Sequence, residues 1–299
     1  MAADGGSWPT FLILGAPKAG TTALYRWLAQ HPEVHVSPNK QPHFFAGLRP
    51  EFCGPGDALF NRDLVTDAAA YRALLTPPAP RRARGEASPF YLHCAQEAAP
   101  RIRAAAPDCR LVVLLRDPVQ RAYSGYLHLV RDGRERASFS EALQREQERQ
   151  GRGWEPLWAH RALGMYGRQL RAILGQFPRQ QLGVWMYEDL ARRPAAVFAG
   201  VCRFIGVDDA FVPAFTHHNT GGAPRHPWLH AWLVALRAPH LAKRLLPERL
   251  AQWVVGRYLQ HRPPPAEAAQ ELRRAYREDL TTLQKLLPDH DFSAWMGGD

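Results

Sequence analysis

No uninterrupted apolar run in these 299 residues approaches the roughly 20 that a membrane-spanning helix needs, and no signal-peptide pattern precedes the first apolar segment. Those absences predict a chain with no integral membrane segment and favour the cytoplasm. Cysteine is scarce. Cys53, Cys94, Cys109 and Cys202 stand without metal-ligand spacing, and a chain of this size needs no disulfide framework. Internal repeats and long structureless runs are missing too, so the expectation is one domain over residues 1–299, its 46% hydrophobic content enough for one large core. Local linkers are expected at Gly54 to Asp57, Thr76 to Arg84 and Arg262 to Pro265, each rich in Pro, Gly or charge. Acidic residues are outnumbered, 28 against 38 Lys and Arg, which leaves a net charge of +10. The arginines are spread along the chain without a recognised nucleic-acid module, so nucleic acid is not the expected partner. A polyanionic small ligand accounts for part of the excess, and a solvated basic surface for more of it.

What is present starts at Phe11-Leu12-Ile13-Leu14-Gly15, an apolar strand that runs into Ala16-Pro17-Lys18-Ala19-Gly20-Thr21-Thr22. The two threonines can open a helix. Free N–H groups at a helix start carry about half a positive charge, and Lys18 adds a whole one, so the segment is a candidate anion cradle. The bland alternative is a turn in which glycine permits tight packing and Lys18 is solvated. The spacing is not the Walker pattern, where lysine immediately precedes Ser or Thr. A second apolar run, Leu111 to Leu115, reads as a buried strand followed by Arg116-Asp117-Pro118. Pro118 suits a first helical turn, and Val119, Tyr123, Tyr126, Leu127 and Val130 then recur at helical spacing. Arg116 thus falls at a strand's carboxyl end and Ser124 on the following helix, where both can face a ligand. Taken singly, an Arg-Asp pair at such a place reads as a structural ion pair.

Together the two segments resemble the donor site of sulfotransferases that use 3′-phosphoadenosine 5′-phosphosulfate (PAPS). The resemblance implies that Lys18 contacts the phosphosulfate bridge and assists the leaving group. Ala19, Gly20, Thr21 and Thr22 would hold the 5′-phosphate. Arg116 and Ser124 would grip the 3′-phosphate. It also implies an α/β, P-loop-like sulfotransferase fold in one domain, with a central parallel sheet flanked by helices and the donor outside the strands' carboxyl ends. A sulfuryl group bears less charge than a phosphoryl group, so no metal ion is required to hold the donor. At an effective dielectric of about 20, a cation roughly 4 Å from a developing charge contributes about 4 kcal/mol.

An acceptor hydroxyl also needs a base. The segment His31 to Phe45 resembles one in glycosaminoglycan-type and bacterial sulfotransferases, where a glutamate commonly stands at the position of Gln41. Glutamine accepts no proton, so its expected role is to orient the acceptor. His43, with an ordinary pKa near 6.5, is one base candidate and an acceptor contact, and a packed core histidine is its alternative. Glu86 is the other. It lies in Gly85-Glu86-Ala87-Ser88-Pro89-Phe90-Tyr91, which resembles a Gly-Glu-x-Ser-Pro-x-Tyr segment of the family. Some members carry a functional lysine where this chain has Ala87. Glu86 has as alternatives a bridge to Arg116 or a helix cap.

Downstream, Leu182 to Leu190 reads as a strand and turn resembling a recurrent Tyr-Glu-Asp-Leu segment, which places Tyr187 near adenine, with simple packing as its alternative. A helix from Pro194 to a stop at Gly206 reads as scaffold. Phe215 to Arg225 resembles the late loop that closes over the 3′-phosphate, with Arg225 as the contact. His217 and His218 have no accompanying carboxylate or cysteine cluster, so no metal is expected. Trp228, Trp232 and Trp253 fall in a basic amphipathic stretch, read as core packing or an acceptor-side lid in preference to a sugar or membrane contact. The terminal stretch from Leu272 to Trp295 resembles the family's C-terminal helix and tail. The implied reaction is sulfuryl transfer from PAPS to a hydroxyl on a carbohydrate or small metabolite, releasing adenosine 3′,5′-bisphosphate. A nucleotide-dependent kinase and a non-catalytic relic disabled at Gln41 are the rivals, and a Golgi-lumen setting is the alternative for a chain separated from its anchor. The acceptor and the oligomeric state have no signature in the sequence.

Overall fold

The structure, a computed structural model, describes residues 8–215, 223–224, 259–260 and 263–297. Five strands make one sheet: β1 (Phe11–Gly15), β2 (Val34–Val36), β3 (Ala83–Glu86), β4 (Arg110–Leu115) and β5 (Leu182–Met186). Their order is β2-β3-β1-β4-β5, and every neighbouring pair is parallel. A parallel sheet covered on both faces makes its central strands read as continuous apolar runs. Phe11 to Leu14 and Leu111 to Leu115 are accordingly at most 1% exposed.

The chain leaves β1 towards β2 on one side and later adds β4 on the other side of β1, so the sheet's strand order reverses at β1. In open α/β sheets that reversal opens a crevice at the strands' carboxyl ends. All five strands being parallel, Gly15, Glu86, Leu115 and Met186 end on one edge, and the segments after them share it.

Helices flank the sheet. α1 (Thr21–Leu28) follows β1, and the short α2 (Asp57–Asp63) and α3 (Ala68–Leu74) precede β3. α4 (Ala95–Ala105) leads to β4, and α5 (Pro118–Arg131) leaves it. Asp117 starts α5 by accepting from the N–H groups of Val119 and Gln120 at 2.8 and 3.0 Å, and Pro118 occupies the first turn as expected. After α6 (Phe139–Gln144), α7 (Glu146–Gly151) and α8 (Tyr166–Leu174), β5 runs directly into α9 (Tyr187–Arg192). α10 (Pro194–Ile205) ends at Gly206 in a left-handed conformation. The long α11 (Ala266–Leu286) buries Leu272, Tyr276, Leu280 and Leu283 against the core, and α12 (Ser293–Met296) seats Trp295. A two-residue antiparallel ladder, β6 (Ala223–Pro224) with β7 (Leu259–Gln260), lies beside α5. Among the described residues no helix is long and apolar enough to cross a membrane.

The linker expected at Gly54 to Asp57 is a packed element instead. Asp57 is fully buried, accepts from the N–H groups of Gly54 and Glu155 at 2.8 Å each, and pairs with Arg134. The expected linker at Thr76 to Arg84 ends inside β3, which pairs with β2 and β1.

Candidate functional site

The loop after β1 turns tightly into the start of α1. Lys18 adopts a left-handed backbone with φ 69°, a conformation that costs a side-chain-bearing residue about 1–2 kcal/mol. Gly20 follows at φ 92°, and a Cβ there would stand 2.4 Å from Leu190 and 3.4 Å from the Tyr187 ring, so only glycine fits. The first backbone bonds of α1 run from Ala23 and Leu24 to the Gly20 carbonyl, which leaves the N–H groups of Gly20, Thr21 and Thr22 without a backbone acceptor among the described residues. The hydroxyls of Thr21, Thr22 and Ser124 make no hydrogen bond among the described residues. Burial, then the charge of Arg131, push the Lys18 ammonium down to about 7; Asp132 opposes this, and Arg116 and Lys40 add to it.

Arg116 joins the loop from β4. Its Nη1 donates to the Lys18 carbonyl at 3.1 Å, and its guanidinium carbon lies 4.5 Å from the centroid of the Tyr187 ring. Tyr166 donates its hydroxyl to the Arg116 carbonyl at 3.0 Å and fixes the backbone. The Arg-Asp pair is no ion pair: Asp117 spends its carboxylate on the start of α5, and no carboxylate of the described residues comes within ion-pairing distance of Arg116. Its charge is available to a ligand. Tyr187 commits one ring face to that cation, which joins the loops after β1, β4 and β5.

The segments around Gln41 and Glu86 lie side by side. Ser37 donates its N–H to the Gly85 carbonyl at 2.9 Å, Ala87 to the Lys40 carbonyl at 3.0 Å, and His43 to the Ser88 hydroxyl at 2.9 Å. Glu86 is fully buried; the Tyr71 hydroxyl donates to its Oε1 at 3.3 Å and its Oε2 has no partner. It neither bridges Arg116 nor caps a helix. Burial pushes its carboxyl up to about 7, against the hydroxyls of Tyr91, Ser88 and Tyr71. His43 is enclosed by the rings of Phe60, Phe90 and Tyr91 at 5.2, 5.2 and 6.2 Å, with both ring nitrogens unpaired. Burial, then the charge of Lys40, hold it near 3, so it is neutral. Gln41 is half-buried and anchored by its N–H, which donates to Asn39 Oδ1 at 3.1 Å.

Sequence reasoning missed four side chains here. Lys40 is half-buried and pushed down to about 8 by burial while Glu86 pulls it up, and its charge also reaches Lys18 and His43. It stands between the two halves of the site. On α5, His128 contacts Arg131 through Nδ1 and lies 3.6 Å from Asp132 Oδ2 through Nε2. Burial, then Lys18, hold this imidazole near 2. The signal was the spacing of Ser124, His128 and Arg131, three positions on one helical face. Arg225, residues 216–222 of the late loop, and Trp228, Trp232 and Trp253 lie outside the described residues.

The sulfotransferase family model matches residues 9–211. The chain belongs to the sulfotransferase family. Among curated sulfotransferases, it is 31% identical over 221 residues to mouse heparan sulfate glucosamine 3-O-sulfotransferase 3B1, covering 72% of this chain and 51% of that protein. Human heparan sulfate glucosamine 3-O-sulfotransferase 6 is also 31% identical over 221 residues, covering 73% and 58%. This member thus spans about half the length of the curated relatives it matches. A sulfotransferase from Alicyclobacillus acidocaldarius superposes with a TM-score of 0.78 at 34% identity, over 97% of this chain and 100% of that one. The loop at Lys18, Arg116, Ser124, Gln41 and Glu86 all fall inside the family match.

Proposed function

We propose that this chain transfers a sulfuryl group from PAPS to an acceptor hydroxyl on a carbohydrate or small metabolite, releasing adenosine 3′,5′-bisphosphate. One observation carries the reading: Arg116, a cation with no carboxylate partner among the described residues, is bonded to the carbonyl of Lys18 and stacked on Tyr187 beside a helix start with open N–H groups. Two anion sites on adjoining strand ends suit a ligand phosphorylated at both ends of its ribose.

The residues fit that donor. The N–H groups of Gly20, Thr21 and Thr22 and the two threonine hydroxyls hold the 5′-phosphate, and Ala19 is a small buried neighbour in the loop. Lys18 faces the bridge oxygen, where its ammonium stabilises the charge that grows as the leaving group departs. Arg116 and Ser124 take the 3′-phosphate, and Tyr187 keeps the guanidinium in place, leaving its other ring face for adenine. PAPS itself supplies the transferable sulfuryl group. For the acceptor's proton, the burial-raised pKa of Glu86 suits a base at neutral pH, whereas His43, held near 3 by burial and ringed by aromatics, is too weakly basic. Gln41 orients the acceptor from the neighbouring segment. The sugar acceptors named for the curated relatives support a glycan class here.

Calorimetric titration with adenosine 3′,5′-bisphosphate, against AMP and ATP-magnesium, tests the donor site without knowledge of the acceptor. Selective binding of the bisphosphate supports the reading. Preference for ATP-magnesium replaces it with a kinase, and tight bisphosphate binding with no transfer to any acceptor leaves a relic.

A further inference from the structure

Three hydroxyls surround the Glu86 carboxylate. The side chain is fully buried, the Tyr71 hydroxyl donates to its Oε1 at 3.3 Å, and its Oε2 has no partner. Burial pushes the carboxyl up to about 7; the hydroxyls of Tyr91, Ser88 and Tyr71 and the Ser88 N–H oppose that rise, as donors to the charged form do. The other ionisable groups that its charge reaches are Lys40 after β2, Tyr25 on α1 and Cys109 ahead of β4.

Residues 43–45 orient all three hydroxyls. The His43 N–H donates to Ser88 Oγ at 2.9 Å and the Phe45 N–H to the Tyr91 hydroxyl at 3.3 Å. Each of those oxygens is thus engaged as an acceptor, and its own proton can turn towards Glu86. Phe44 stacks on the Tyr71 ring at 4.4 Å with the planes 13° apart, and Phe45 meets the same ring edge-on at 5.2 Å. Tyr71 is fully buried between them and α3, so its hydroxyl has a fixed place. His43 itself holds a left-handed backbone, φ 51°, a conformation that persists in a residue with a side chain where its surroundings impose it.

We propose that Tyr71 is a positioning residue for the transfer: it fixes the Glu86 carboxylate through Oε1 and leaves Oε2 as the oxygen that receives the acceptor's proton. The inference rests on Glu86 as the base. In that step the acceptor O–H bond breaks as its proton passes to Oε2. The hydroxyl oxygen's electron pair forms the bond to sulfur, and the bond from sulfur to the bridge oxygen breaks. Without the Tyr71 O–H the ionised carboxylate loses a donor, so Glu86 holds its proton to higher pH.

Tyr71→Phe removes one O–H and keeps the ring in its stack, so the variant should fold. The test is single-turnover transfer against pH at saturating donor, where Lys18 is already engaged; Lys40 is common to both proteins and does not distinguish them. The rising limb near pH 7 should move up by about one pH unit, so that transfer slows by up to about tenfold below pH 7 and recovers by about pH 9. Carbon-13 NMR of the glutamate-labelled free protein should show the same displacement in the titration of the Glu86 carboxyl. A rate lowered equally at every pH, with the limb and the carboxyl titration in place, overturns the positioning role and leaves a packing one; an unchanged profile overturns it too. Glu86→Gln separates the two failures. If the limb survives in that variant, the base assignment itself is wrong and the role of Tyr71 falls with it; if the limb is lost there but unmoved in Tyr71→Phe, only the role of Tyr71 fails.

Discussion

Arg116 and Lys18, 98 residues apart in the chain, are joined by a hydrogen bond of 3.1 Å from the guanidinium of the first to the carbonyl of the second. The bond ties the cation at the end of β4 to the backbone of the loop after β1, so the side chain proposed for the 3′-phosphate also shapes the loop proposed for the 5′-phosphate.

Arg116→Ala should therefore weaken adenosine 3′,5′-bisphosphate more than AMP. A hydrogen bond to a charged group contributes about 1.5–3 kcal/mol, or roughly 10- to 150-fold in affinity. AMP should lose only the part that reflects a loosened Lys18 loop. Calorimetry on both ligands separates the terms, and equal losses would remove the 3′-phosphate role.

Lys18 gives donor binding a pH dependence of definite sign. Its ammonium is pushed down to about 7 in the free protein, and a bound phosphate favours the charged form. Below that pH the proton is already present. Above it, binding must take a proton up, so bisphosphate affinity should fall as pH rises from 7 towards 9, by at most about tenfold per unit. The ligand's own phosphates ionise lower, near pH 6, and do not mask the window. Titration in buffers of different ionisation enthalpy reads the proton uptake, and Lys18→Met should abolish most of it.

Glu86→Gln should slow single-turnover transfer by about 10²- to 10⁴-fold and remove the rise in rate through pH 7 that the wild type is expected to show. Stability moves the other way. Because the folded carboxyl is raised from 4.5 to about 7, it holds a proton the unfolded chain has lost, and its contribution disappears as pH rises through 7. At pH 8 the glutamine variant should melt no lower than the wild type, which distinguishes a slow enzyme from a damaged one. His43→Ala should leave the pH 7 limb in place; loss of that limb would exchange the two roles.

The legible parts of this chain are those whose signal is local. β1 and β4 could be read because their apolar runs need no partner to be recognised, and α5 because Pro118 and the helical spacing of Val119, Tyr123 and Tyr126 announce it. β2 and β3, Val-His-Val and Ala-Arg-Gly-Glu, carry no such run; they are strands because their backbones complete the sheet beside β1. Glu86 was found by its motif, but its environment depends on Tyr71 from α3. His128 was hidden for the same reason, since its spacing from Ser124 gains meaning only when Lys18 is laid against α5. Asp57 was misread as linker because its burial depends on Arg134, 77 residues away.

That last contact makes a prediction of its own. Arg134 bridges two carboxylates, Asp57 and Glu155, whose side chains are 0% and 4% exposed, and its guanidinium also lies 5.5 Å from the centroid of the Trp158 ring. Removing one partner of a buried ion pair strands the other charge, at a cost of about 3–5 kcal/mol. Arg134→Met keeps much of the side chain's bulk, so the loss is electrostatic. Burial already pushes Glu155 up to about 7, with Arg134 opposing that rise; without the arginine it should climb further and take a proton near neutrality. The variant's deficit in denaturant unfolding should then be largest at pH 8 and shrink towards pH 5, where a proton replaces the missing cation. A deficit independent of pH would mean that Arg134 acts through its packing on Trp158 and that the two acids are not coupled through it.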